Sequence, residues 1–552
     1  MAMSHASARL RSRPEWWLEH RNKQSKQKWK AELLRSPLTI RTPCGSETIR
    51  LSLKQLITCT DGKFSLGTST GAHSVSFILS QVSCFERIWE SEDVLSFNEI
   101  LDLERDVIQS LPHAPNHNGV VHVIDPFLNA LIFEKTPVYD IHQPGLLRRQ
   151  PAPSYMRDYS VSKEFAFLPT DFSISTAGHV KALSYINNLH PGETKAMQGL
   201  ENLLERCLPL FSHVLTDLHR NNPLYQRIKG SCRYTEWDEP EPPDHSDDEE
   251  GWVAYERDVR LWIMKRPIEL PDVPSGGYKG GLESRRHTVE LLGRNLQFVV
   301  HSYEICLVRW ISLPFTFQSA EIFSRKSPDN CTYDGTPWHV VGMMNEKIVA
   351  CLFFYASAVR RPLADISSFT EVLMQENITD GVIEFRMAVT SPSGFEPGDT
   401  GATSRTWAMK DGDPCHQYVG SRRITPGLCI AFPNLYQHRQ SALKLVDPAK
   451  CGHQRVIALY MVDPDVNPVI STSRVPPQQK SWVKAATEEF IDKRLPVEVV
   501  EQIVDEVDGK MTYIEAEHYR ERMLSERENF RKMNDLYHFC VPFDIWSSNS
   551  LH

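Results

Sequence analysis

"GLCIAFPNLYQHRQS" (residues 427–441) decides the fold. A short apolar run from Leu428 to Phe432 follows Gly427 and stops at Pro433, whose missing N–H suits the end of a strand. A run this short between Gly and Pro reads as a buried strand, and His438 comes directly after it. "RVIALYMVDPD" (455–465) repeats the pattern. From residue 294 to 475 the chain keeps this alternation of short apolar runs and turn signals, which predicts a β-rich domain.

Outward from that region the periodicity changes. Residues 14–35, "PEWWLEHRNKQSKQKWKAELLR", read as an amphipathic helix anchored by Trp16, Trp17 and Trp29. Residues 199–219 carry apolar positions at helical spacing, as do 495–507 and 512–530, the last two joined by the turn "DGK". "GVVHVIDPFLNALIF" (119–133) is a buried strand entering a Pro-marked turn, and "HVKALSYINNLHP" (179–191) is a strand ended by a turn. Residues 142–160 read as a loop. The acidic, proline-rich stretch 236–250 reads as an exposed, mobile insertion; it lacks the ligand spacing and glycine of a calcium loop. The expected organisation is a helical or mixed region at 1–140, a β-rich domain at 141–480 and a helical region at 481–552, with the helical parts packed around the β domain.

Composition narrows the function classes. The 552 residues are 41% hydrophobic and include 12 Trp, enough for a sizeable core. A net charge of −9 argues against a general electrostatic grip on nucleic acid. No window approaches the apolar length of a membrane span, and the N-terminus lacks a signal-peptide core. The 12 cysteines are scattered singly with no CxxC pair, which excludes zinc-finger spacing and suits a reducing, intracellular setting, cytoplasmic or nuclear.

The chemistry concentrates in "TPWHVVGMMNE" (336–346) and in the two runs quoted first. A non-haem iron site needs two imidazoles and a carboxylate on one face of the ion. On a strand, residues two apart point the same way, so His-x-Asp/Glu delivers two of the three ligands. His339 and His438 are candidate metal ligands, but Val341 occupies the carboxylate position. Arg455 shares a strand face with Ile457, Leu459 and Met461, and a charge beside an apolar face needs an anion, so it is the candidate anchor for a carboxylate cosubstrate. Arg386 is its rival. Asn187, in "SYINNLHP", is a candidate pocket residue, although Asn-Asn-Leu-His-Pro also makes a good turn. Trp338 reads as core packing and His453 as exposed. No phosphate loop or serine-nucleophile elbow is present.

An ordered series of segments carries a resemblance. "FERIWESEDVLS", "VVHVIDPFLNALIF", "FAFLPTDFSIS", "SYINNLHP", "LLGRNLQ", "GTPWHV", "NITDGVIEFR", "FPNLYQHR", "GHQRVIALYMVDPD", "STSRVPPQ" and "RLPVEVVEQIVDEV" resemble the fungal proteins grouped as domain of unknown function 4246. That family is similar to Fe(II)/2-oxoglutarate-dependent oxygenases. The resemblance implies an α+β protein with a double-stranded β-helix (jelly-roll) core and helical N- and C-terminal elaborations. It also implies Fe(II) on His339 and His438, 2-oxoglutarate on Arg455, and a small-molecule or protein substrate.

The family pattern reads Trp-His-Val-Glu-Gly where this chain has Trp338 to Gly342, with Val341 for the acid. That departure implies an impaired enzyme, or a non-catalytic binding or regulatory protein on the same fold. Glu346 is a poor substitute, Glu384 is another conceivable carboxylate that nothing in the sequence places near His339, and valine is bulkier than a halogenase-type chloride site wants. Two segments, near 303–319 and 359–376, have no counterpart in the family pattern; they are surface loops or translated introns, which cDNA sequencing separates.

Overall fold

The computed structural model describes residues 19, 22–35, 81–82, 87–108, 119–143, 145–153, 159–219, 232–235, 239–269, 287–307, 332–356, 377–379, 381–407, 409–447, 450–490 and 496–547. Its architecture is mixed helix and antiparallel sheet. The strands around the site are, in chain order, β1 (Gln81–Val82), β2 (Trp89–Ser91), β3 (Val120–Ile124), β4 (Thr170–Ile174), β5 (Val180–Ala182) and β6 (Asn295–Leu307). Then come β7 (Ile348–Tyr355), β8 (Val382–Ala388), β9 (His416–Arg423), β10 (Cys429–Pro433), β11 (Gln437–Gln440) and β12 (Gly452–Val462).

Nine strands form the large sheet in the order β1-β2-β10-β7-β12-β6-β4-β5, with β3 also paired to β6. A three-stranded sheet, β9-β8-β11, is the second layer. The large sheet thus draws strands from both sides of residue 140. Residues 302–307 belong to β6 and pair with β12 as far as Leu307 opposite Gly452, so the first of the two unmatched segments begins inside the sheet and not in a loop. Residues 308–331 and 357–376 lie outside the described residues, as do Trp16 and Trp17.

Both faces of the large sheet are buried, which explains its nearly continuous apolar strands. Phe298 and Val300 of β6, Leu352 and Phe354 of β7, and Ile457, Leu459 and Met461 of β12 pack on one face. That face is covered by helix α1 (Thr194–Leu218), whose Leu203, Leu204, Phe211 and Val214 join the same cluster. Alternate residues turn the other way: Val299, Cys351, Phe353, Ile430, Val456 and Ala458 meet Ile383, Phe385 and Val419 of the small sheet in a second core. The site lies in this space between the sheets.

Helix α2 (Tyr513–Asn534) closes one side. Its Thr512 and Glu515 form a reciprocal capping box, and its Arg520 and Arg527 reach Asp125 and Glu346. The acidic stretch is mostly exposed where described, with Pro240 and Pro243 half-buried, and leads into a helix at Glu249–Lys265 that the sequence pattern does not anticipate. Among the described residues no helix is long and apolar enough to cross a membrane.

Candidate functional site

The chain from Thr336 to Val341 runs beside β11, and His339 and His438 bond to each other through both backbone pairs, at 3.1 and 3.0 Å. This places the two rings side by side, with centroids 4.3 Å apart and planes at 50°. His339 Nδ1 donates to the Pro337 carbonyl at 2.8 Å, which leaves the lone pair on Nε2. His438 is fully enclosed, with the rings of Phe353 and Phe432 about it. Its Nδ1 is buried with no hydrogen-bond partner among the described residues. Burial, and then the neighbouring His339, holds the pKa of His438 well below the usual imidazole value. Burial lowers that of His339 too. Both rings are therefore neutral near pH 7, as metal ligands must be.

The expected carboxylate position is held by Val341. Val341 is 8% exposed and packed in the core between the sheets. Asn434 clamps its peptide, accepting from Val341 N at 2.9 Å and donating to Val341 O at 2.8 Å. Glu346 is bound elsewhere, to Arg527 and to the backbone N–H groups of Met343 and Phe167. Gly342, at φ +71°, lets it approach, since a Cβ there would lie 2.5 Å from a Glu346 oxygen. Glu384 lies on β8 with Arg439 and Tyr418. Among the described residues no carboxylate or thiol joins the His339–His438 pair in a metal-sized cluster.

The pair opens into a cavity of about 200 Å³. Two further histidines, His122 and His301, line it, together with Tyr303, Tyr333, Tyr355 and Tyr460. Thr336 and Gln440 add polar atoms. Burial raises the pKa of all four phenols, that of Tyr333 to about 12, so they are hydrogen-bonding neutral groups. His122 Nδ1 and His301 Nε2 are 3.0 Å apart, and His301 Nδ1 is 3.0 Å from the Tyr460 hydroxyl. Burial, and then the His122 ring, pushes His301 down to about 3. Asp125 stands behind them: burial alone would raise it, but His122, Arg520 and His301 together hold it below the ordinary carboxylate value.

The anchor residues lie elsewhere. Arg455 does share its face with Ile457, Leu459 and Met461, but that face is packed beneath α1, on the side of the sheet away from the imidazoles. Its anions are Glu304, at 3.0 Å, and Glu104, at 3.6 Å. Arg386 bonds Gln437 and Asp535 and stacks on Trp338. Asn187 donates to the carbonyls of Leu128 and Asn129 and ties down a turn. No Arg or Lys is among the described residues lining the cavity. Trp338 is a half-buried platform under Arg386 and Arg439, not core packing, and His453 is half-buried beside Glu304. His122 and His301 escaped the sequence reading. Each is a lone imidazole in an otherwise apolar strand, "VVHVI" and "FVVHS", and that was the available signal.

No curated protein matches the chain. Among solved structures, the chain is similar to a bsmA homolog from Methylobium petroleophilum PM1, at 11% identity and a TM-score of 0.15. That likeness covers 43% of this chain and 63% of the other. The model of the family described as Protein of unknown function (DUF4246) matches residues 95–362 and 364–486, well over half of the sequence. The chain belongs to that family.

Proposed function

We propose that the chain is a jelly-roll, oxygenase-like protein whose His339–His438 pair binds a divalent transition metal, Fe(II) by resemblance, and that has lost 2-oxoglutarate chemistry. The observation that carries this reading is the convergence of two neutral imidazoles, one with an orphaned buried nitrogen, on a cavity between two antiparallel sheets. Two nitrogens fit a metal; the set stops there, because Val341 supplies neither a lone pair nor a charge to offset the dication. When bound, such an ion would supply Lewis acidity or oxygen activation. The cosubstrate does not fit. Its far carboxylate wants a cation, and Arg455 is neutralised by two glutamates on the wrong face of the sheet. What remains is a metal-assisted binding pocket for a small molecule, with neutral phenol, imidazole and amide groups to orient it.

Anaerobic titration of the full chain with Co(II), followed by its ligand-field spectrum, tests the reading. Val341→Glu is expected to tighten binding by about tenfold or more, and His438→Ala to abolish it. Turnover of 2-oxoglutarate by the native chain, or Co(II) binding indifferent to His438, would overturn it.

A further inference from the structure

Behind Tyr460 the cavity wall holds a second device that uses neither His339 nor His438. The Tyr460 hydroxyl meets Nδ1 of His301, and Nε2 of His301 meets Nδ1 of His122, each at 3.0 Å. The two imidazole planes lie within 8° of each other, with centroids 5.3 Å apart. That separation is the N···N distance plus the two ring radii, so the contact runs straight along the line between the ring centres. One nitrogen must donate and the other accept. An ion held linearly between them would need donors about 4.2 Å apart, twice an ordinary metal–imidazole bond. The pair is thus built to share a proton rather than a metal, although His122, Asp125 and His301 each place a ligand atom within 4.8 Å of the others.

We propose that Tyr460, His301 and His122 form a proton relay that acts as the general acid–base group for a small ligand carrying an ionisable O–H. As base, the ligand's hydroxyl proton goes to the Tyr460 oxygen, and the Tyr460 proton passes to Nδ1 of His301. The Nε2 proton of His301 passes to Nδ1 of His122. Three bonds to hydrogen break and three form. The ligand is left as an oxyanion and His122 as an imidazolium. The charged and titratable groups around the relay include Asp125, Arg520, Glu517, Tyr303 and Cys351. Asp125, from the turn after β3, answers the imidazolium; Arg520, from α2, is already paired to Asp125 at 2.6 Å and to Glu517 at 3.3 Å; Tyr303, from β6, lies tilted against His301 as a neutral phenol, and Cys351, beside Tyr460, is a neutral thiol. His122, Arg520, Asp125 and the ligand oxyanion then carry two positive and two negative charges, with Glu517 on the more exposed side of Arg520. His301, held neutral, passes protons without storing one.

4-Nitrophenol, whose anion absorbs in the visible, is the probe. Added to the full chain with a chelator, at a pH below its own pKa, it is expected to bind as the phenolate. Tyr460→Phe and His301→Gln should cut the ionised fraction at least tenfold, while Arg257→Ala, on an exposed helix away from the cavity, leaves it unchanged. Failure to bind, binding as the neutral phenol, or ionisation that survives Tyr460→Phe would overturn the relay. Ionisation that needs metal and disappears in His438→Ala would also overturn it, while supporting a metal on the imidazole pair.

Discussion

Val341 carries no lone pair, and at the position where the proposed metal reading wants a carboxylate it packs in the core between the sheets. Asn434 holds the backbone of that position on both sides, so a longer acid placed there would start from a fixed peptide. This is why Val341→Glu is the informative substitution. Arg455 teaches the opposite lesson. Its guanidinium is largely buried between Glu304 and Glu104, so Arg455→Leu is expected to remove the cation these two carboxylates share and cost about 3–5 kcal/mol of stability, measured by urea unfolding. Co(II) binding at His438 should persist in the folded fraction. A variant that kept its stability but lost ligand binding would show that Arg455 acts in the site after all.

At the scale of elements, α2 is the strap across the cavity side of the fold. Arg520 reaches Asp125 beneath the relay, and Arg527 reaches Glu346 in the loop that follows Val341. The helix begins with the Thr512–Glu515 box, in which each side chain caps the other's backbone N–H. Thr512→Ala is expected to cost about 1 kcal/mol, read as a lowered midpoint in thermal unfolding. Because this end lies away from both imidazole pairs in sequence and contacts, Co(II) affinity should be unchanged. A large loss of affinity would mean that the strap governs the metal.

For the whole molecule, the buried carboxylates set the acid limit. Burial would raise Glu304, but His453 and Arg455 hold it below the ordinary value, and Asp125 is likewise depressed. A depressed carboxylate contributes stability that is present above its unfolded pKa and is lost as pH falls through the folded one. The free energy of unfolding should therefore drop as pH falls below about 4.5, and Glu304→Gln should flatten that slope. Urea unfolding across this pH range checks it; an equal slope in the variant would remove Glu304 from the account. Glu346 works in the other sense, because burial raises it.

The sequence by itself determined what is periodic and local. The runs at 427–433 and 455–465 appear as β10 and β12, the helices at 199–219 and 512–530 as α1 and α2, and the face shared by Arg455, Ile457, Leu459 and Met461 is as the period of two requires. The nearness of His339 to His438 was legible only through the spacing of ligand types. Tertiary structure decided which face of the large sheet holds the cavity. With both faces buried, the strands are apolar throughout, and nothing in their pattern marks one side as the site. For the same reason His122 and His301, 179 positions apart, met only when β3 paired with β6. A contact between strands distant in sequence depends on sheet order and register, which local propensity does not encode.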